Sequence, residues 1–272
     1  MNKWLVLIVF IIPMSCVASQ RIITLGSDIS EITYALGVGA NIVARDSASQ
    51  HPRELKILPD VGYLRQLNAE GILALQPTLV LCREQASSSR ALKQITDYGV
   101  NVIFIPVDTS PQTVINKIQL IAKAVNQKEK GRQLINHYQQ ELAKITATPL
   151  PVKVLFIITH AGLPPLAAGK DTAADTLFRL SGLNNTMQKF SGYRPLSQEG
   201  IIASAPDLLI VSSHSVKSMG GIDNIWRLPG LALTPAGKKQ KLLVLDDRAL
   251  LGFSLQTPQV IKQLQVAGES NR

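Results

Sequence analysis

Three places in this chain have residue types and spacing suited to holding a ligand. Tyr63 and Arg65 form a Tyr-x-Arg step just upstream of Asn68, Tyr193 and Arg194 stand side by side, and His160 follows an apolar run. A phenol, a guanidinium and an imidazole in loops can ligate or hydrogen-bond a bound molecule. Each also has a plainer reading: a half-buried tyrosine with its hydroxyl on a carbonyl, a surface cation, a structural histidine. Tyr63 and Arg65 together, in a loop ahead of a helix, read better as ligand contacts. His51, His137 and His214 read as structural or surface residues. Signatures of catalysis are missing, with no Gly-x-Ser-x-Gly elbow, no His-Glu-x-x-His helix and no Walker-type phosphate loop. Four histidines spread over the chain do not suggest a dedicated zinc or manganese site. Asp246-Asp247 is a carboxylate pair at a strand end whose default is a solvated loop.

The elements that must position these residues are written twice. Leu67, Glu70, Gly71, Ile72, Ala74, Pro77 and Leu79 recur as Leu196, Glu199, Gly200, Ile201, Ala203, Pro206 and Leu208, each displaced by 129 positions. Two units are too few for a solenoid and predict two similar lobes, each with the same helix–Pro–strand step. In the first lobe, strands over 21–25, 42–44, 79–82 and 102–105 alternate with helices. Asp28 or Ser30 is the expected cap of the first helix and Asn68 that of the helix over 69–75. A helix opening at Pro111 is followed by a stretch from Lys128 to about Thr146, which reads as a stiff connector of roughly 30 Å. Pro149-Leu150-Pro151 marks its far boundary. Strands over 152–159, 208–211 and 242–245 rebuild the scheme, and Thr257-Pro258 begins the last helix. The fold class is therefore α/β, two Rossmann-like lobes with parallel sheets joined by a single long connector helix. The predicted division is a signal peptide over 1–18, an N-terminal lobe over 19–127, the connector over 128–147 and a C-terminal lobe over 148–272. Ligands of open parallel sheets bind beyond the carboxyl ends of the strands. There the loops at Gly26-Ser27, 63–66 and Arg83-Glu84 would face those at 160–162, Tyr193-Arg194 and His214.

Composition bounds the class. The chain has 272 residues, 46% hydrophobic, and a formal charge of +9. Its cations are scattered rather than striped, so no nucleic-acid partner is expected. Lys3, the apolar run from Leu5 to Ile12 and Cys16-Val17-Ala18 read as a secretory signal peptide. The residues before Cys16 make a poor lipobox, so cleavage after Ala18 is expected rather than a lipid anchor there. Cys82 would then be the one cysteine left, and no internal disulfide could form. Export without a disulfide fits a bacterial periplasmic protein.

With these residues in view, the chain resembles the class III periplasmic binding proteins of ABC importers for haem, ferric siderophores and cobalamin. The segment Leu58-Pro59-Asp60-Val61-Gly62-Tyr63-Leu64-Arg65-Gln66-Leu67-Asn68-Ala69-Glu70 is similar to the haem-binding branch. So are Ala167-Ala168-Gly169, Leu228-Pro229-Gly230-Leu231 and Leu250-Leu251-Gly252-Phe253. The resemblance implies a periplasmic, monomeric, non-enzymatic carrier that takes haem as its transported ligand in the inter-lobe cleft. Its implied partners are an inner-membrane ABC permease dimer and an outer-membrane haem receptor. It further implies that Tyr63 is an axial ligand of the haem iron assisted by Arg65, and that His160 matches a second axial position. Arg65, Arg194 and Lys170, with Tyr193 in the cleft, would meet the propionates, and Glu70 and Glu199 would dock on the permease. Ferric iron is hard and accepts a phenolate oxygen. The rival reading is a ferric-siderophore or cobalamin binder of the same superfamily, and one from another class is an exported enzyme on a Rossmann-like scaffold.

Overall fold

The structure, a computed structural model, describes residues 19–146, 148–159, 162 and 164–271, apart from the side chains at 247 and 249. The expected signal peptide, Cys16 and His160 lie outside the described residues.

Short apolar runs become strands because both faces of each sheet are covered. In the first half, β1 (Ile22–Leu25), β2 (Ile42–Arg45), β3 (Leu79–Arg83) and β4 (Asn101–Ile105) form one parallel sheet of order β2-β1-β3-β4. Every residue of β1 is buried, as is β3 through Cys82. The helices of this half are α1 (Ser27–Thr33), α2 (Ala69–Ala74), α3 (Arg90–Asp97) and α4 (Gln112–Ala124). A following helix, α5 (Lys128–Ala143), is 16 residues long, about 24 Å. It stops short of Thr146 because β-branched Ile145 and Thr146 are poor helix formers. Gly131 of α5 lets the helix lie directly on α4, where an added Cβ would meet the Ala122 Cβ at 2.6 Å.

The second half holds β5 (Lys153–Ile158), β6 (Leu166–Ala168), β7 (Asn184–Asn185), β8 (Tyr193–Pro195), β9 (Leu208–Ser212) and β10 (Leu242–Leu245). Its parallel members β7, β5, β9 and β10 repeat the order of the first sheet. The sheet is not wholly parallel as expected, for β6 pairs antiparallel with β5 and β8 antiparallel with β6. Residues 159–165 between β5 and β6 are fewer than the dozen or so that a parallel crossover takes. Its helices are α6 (Ala173–Leu180), α7 (Gln198–Ser204), α8 (Ser213–Ser218), α9 (Ile222–Trp226), α10 (Pro235–Lys238), α11 (Asp247–Leu251) and α12 (Thr257–Glu269).

The repeated step is conformational as well as sequential. Asn68 and Ser197 cap α2 and α7 through their side-chain oxygens. Gln76 and Ala205, again 129 apart, both take left-handed backbone, φ 48° and 40°, before Pro77 and Pro206. One continuous buried cluster runs through both halves, joining Ile22, Leu81, Ile118 and Tyr138 to Phe156, Phe178 and Leu264. The halves therefore share a core as well as a connecting helix.

The first helix departs from expectation at its start. Its N-cap is Gly26, at φ 135° and with no side-chain cap, while Asp28 and Ser30 lie inside the helix and are buried. Asp28 is drawn inward because it ion-pairs with Arg83 and Lys117.

Candidate functional site

Tyr63 sits in the loop that leaves the carboxyl end of β2. Asp60 organises that loop: its carboxylate accepts from Arg45 at 2.6 Å, the Ser47 hydroxyl at 2.8 Å and the Gly62 N–H at 2.9 Å. Burial would raise the Asp60 carboxyl, but the Gly62 N–H, Ser47 and Arg45 outweigh it and hold it below the ordinary value. The Ser47 N–H donates to the Gly62 carbonyl at 3.0 Å, and the Gln66 N–H to the Tyr63 carbonyl at 2.8 Å. Gly62 takes φ 92°, a conformation that glycine adopts without strain. The result is a fixed turn with a projecting phenol, 64% exposed, and Arg65 exposed two residues on. The sequence held a signal for this anchor that went unread, since Asp-x-Gly is turn chemistry.

The structure gathers Lys170, Tyr193 and Arg194 at one edge of the second sheet. The Gly192 N–H donates to the Lys170 carbonyl, and the Lys170 N–H to the Phe190 carbonyl, both at 2.8 Å. Tyr193 and Arg194 are in β8, paired with Ala168 and Ala167. The Arg194 guanidinium lies 5.6 Å from the centre of the Phe190 ring, within cation–π range. Burial pushes the Tyr193 phenol up to about 12, so this tyrosine resists ionisation. Glu70 and Glu199 are exposed in the first turns of α2 and α7. The Glu199 carboxyl is held below the ordinary value by its own backbone N–H and the Ser197 hydroxyl.

A buried ion group, invisible in the sequence pattern, sits at the carboxyl ends of β1 and β3. Arg83 donates from Nε at 2.8 Å and Nη2 at 2.5 Å to Asp28 Oδ1, and Lys117 Nζ donates to Asp28 Oδ2. Lys117 Nζ also reaches across to the Phe253 carbonyl at 3.2 Å. Burial alone would raise the Asp28 carboxyl, but Arg83 and Lys117 outweigh it and hold it below its ordinary value. Across the seam, Glu31 accepts from Gln256 at 3.1 Å, and burial raises its carboxyl. Asp246 is no bare loop carboxylate, because it caps α11 at the Arg248 N–H and takes Nε and Nη2 of Arg248, each at 2.8 Å. Among the described residues no group of three or more His, Cys, Asp or Glu is arranged to hold a metal ion. None of the described helices is long and apolar enough to cross a membrane.

Comparison with known proteins gives this arrangement its context. A family model described as periplasmic binding protein matches residues 22–249. The periplasmic heme-binding protein RhuT from Roseiflexus sp. RS-1, in apo form, overlays with a TM-score of 0.88 at 35% identity, covering 93% of this chain and 99% of that one. An ABC transporter substrate-binding lipoprotein of Bacillus subtilis (strain 168), YvrC, is 29% identical over 206 residues. Those residues are 73% of this chain and 65% of that relative, so this chain spans just under two thirds of its length. The vitamin B12-binding protein of Vibrio parahaemolyticus is 25% identical over 210 residues, 76% of this chain and 74% of the relative. Two α/β lobes and a family match that runs across both make this chain a member of the periplasmic binding protein family.

Proposed function

We propose that this protein captures haem in the cleft between its lobes and hands it to an inner-membrane ABC permease, without catalysis. The observation that carries the reading is the Asp60-anchored turn that projects Tyr63, in a chain that overlays a haem-binding protein almost end to end. A free phenol ionises near pH 10. Bound ferric iron and the Arg65 guanidinium both favour the phenolate, so Tyr63 serves as an axial oxygen ligand at neutral pH. His160 from the other lobe is the second axial candidate, while Lys170, Tyr193 and Arg194 form the opposite wall. The lobes span 19–127 and 148–272, with 128–147 between them, and residues 1–18 direct export to the periplasm. Glu70 and Glu199, one on each lobe, suit docking of a monomeric carrier on a two-fold permease dimer. An outer-membrane haem receptor is the partner expected upstream.

The relatives that bind vitamin B12 favour cobalamin as the second reading. Purified protein titrated with haemin, cyanocobalamin and a ferric siderophore separates the two. Haemin should give a saturable Soret band while the others leave the protein's fluorescence unchanged. Tight cobalamin binding with no Soret change would reverse the assignment.

A further inference from the structure

The segment 253–257, which leads from α11 into α12, belongs to the second lobe yet is held from outside it. Lys117 of α4 reaches its Phe253 carbonyl at 3.2 Å. Gln256 Nε2 donates to Glu31 Oε1 of α1 at 3.1 Å, a contact between residues 225 apart in sequence. Burial raises the Glu31 carboxyl, against the opposing pull of Gln256, Arg248, the Ser254 hydroxyl and the Leu255 N–H. At the end of the segment the Thr257 hydroxyl meets the phenol of Tyr138 in α5. Within it, the Ser254 N–H donates to the Thr257 hydroxyl at 3.0 Å and the Gln256 N–H to the Ser254 hydroxyl at 3.1 Å. These bonds tie the five residues into one piece.

The contacts from the first lobe differ in kind. Lys117 is committed to Asp28 and only 2% of its side chain is exposed, so it belongs to the core. The Glu31–Gln256 contact is the outer one, with Gln256 exposed and Glu31 half-buried. No side chain of its own caps the start of α12. Glu31 brings a carboxylate there from the other lobe, where the aligned peptide dipoles favour negative charge. Both partners line a cavity of about 1130 Å³ at the seam between the lobes, together with Phe253, Ser254 and Leu255. A ligand held between two lobes binds best when they already stand at the right separation. Apparent affinity falls with the fraction of molecules in that arrangement, and binding free energy is otherwise spent on ordering.

We propose that Glu31 is a positioning residue for ligand capture: it clasps the entry of α12 and fixes the span between the Tyr63 turn and the β8 wall. The effect on haem rests on the haem reading, whereas the span itself is measured without ligand. Spin labels at Lys93→Cys and Lys239→Cys, exposed positions on the first and second lobes, report the inter-lobe distance by pulsed electron resonance. Cys82 is buried and stays unlabelled. In ligand-free protein, Glu31→Ala and Gln256→Ala should each broaden the distance distribution, and the double variant should broaden it no further. Glu31→Gln should keep the wild-type width, because its amide oxygen still accepts from Gln256. Haemin affinity from Soret titration should fall roughly 2- to 10-fold in the broadened variants, the equivalent of one hydrogen bond, and should hold in Glu31→Gln. Gln256 is exposed, so Gln256→Ala keeps the test valid should Glu31→Ala fold poorly. A distribution unmoved by the alanines, or widened additively in the double variant, overturns the clasp. Broadening with unchanged haemin affinity overturns its role in positioning. Wild type with no Soret response overturns the haem reading and leaves the distances to decide the clasp.

Discussion

Arg65 and Arg194 are 129 residues apart in the repeat, yet the two loops that carry them are built in opposite ways. In the first lobe the segment leaves the sheet after a bridge from Asp60 to Arg45 of β2, and is pinned at its far end by the Asn68 cap. In the second the same stretch is zipped into β8, with Arg194 resting on Phe190 and Tyr193 37% exposed on the edge strand. The position matching Tyr63 is Gly192, at φ 77°, and the nearest phenol is one residue out of step. A strand sends successive side chains to opposite faces, so a one-residue offset is a change of side and not a small adjustment. One lobe thus presents a well-exposed phenol on a turn, while the other fixes its phenol on a β-strand at the sheet edge. Two copies of one scaffold have diverged into a projecting turn and a strand edge.

The largest effect expected from this contrast is in affinity. Tyr63→Ala should weaken haemin binding by more than the roughly 10- to 100-fold typical of outer-shell changes at metal sites. Tyr193→Ala should stay within that range, and isothermal titration measures both. Equal losses would erase the distinction between the lobes.

Where the lobes are alike, their variants should behave alike. Glu70→Lys and Glu199→Lys should each depress haem uptake by cells or proteoliposomes, and the pair should bring it to background. Haem affinity should be unchanged, because both side chains are exposed in helix first turns. Transport that survives the double reversal would remove both from the docking role.

The smallest effect sharpens the contrast at the strand ends, where Arg83 in one lobe corresponds to Ser212 in the other. Asp28→Asn leaves Lys117 buried beside a neutral partner and should cost about 3 kcal/mol at neutral pH. Because the folded Asp28 carboxyl lies below its ordinary 3.8, its stabilisation is complete above that value. It is lost as pH falls through the folded one. Glu31 and Asp46, whose values burial raises, act oppositely, favouring the folded state as pH falls through their range. Urea midpoints between pH 3 and 7 should therefore show a shallower acid limb in Asp28→Asn than in wild type. An unchanged limb would mean that Asp28 is not the group titrating.

Local signals in the sequence carried the parallel sheets, the Asn68 cap and the Pro77 and Pro206 stops, because each is written within a few residues. Contacts made at a distance were hidden. Asp28 looked like a helix cap, since nothing near it announces Lys117, 89 residues away. Antiparallel β6 and β8 were equally silent, being three residues each and defined by partners rather than by pattern. Glu31 and Gln256, 225 residues apart, become a pair only when the fold brings both to one cavity.

Iron coordination tests the account most directly, through resonance Raman and visible spectra of the haemin-loaded protein. Wild type and Tyr193→Phe should share an iron–phenolate signature that vanishes in Tyr63→Phe. The same signature persisting in Tyr63→Phe would contradict the assignment of the first-lobe phenol as the ligand.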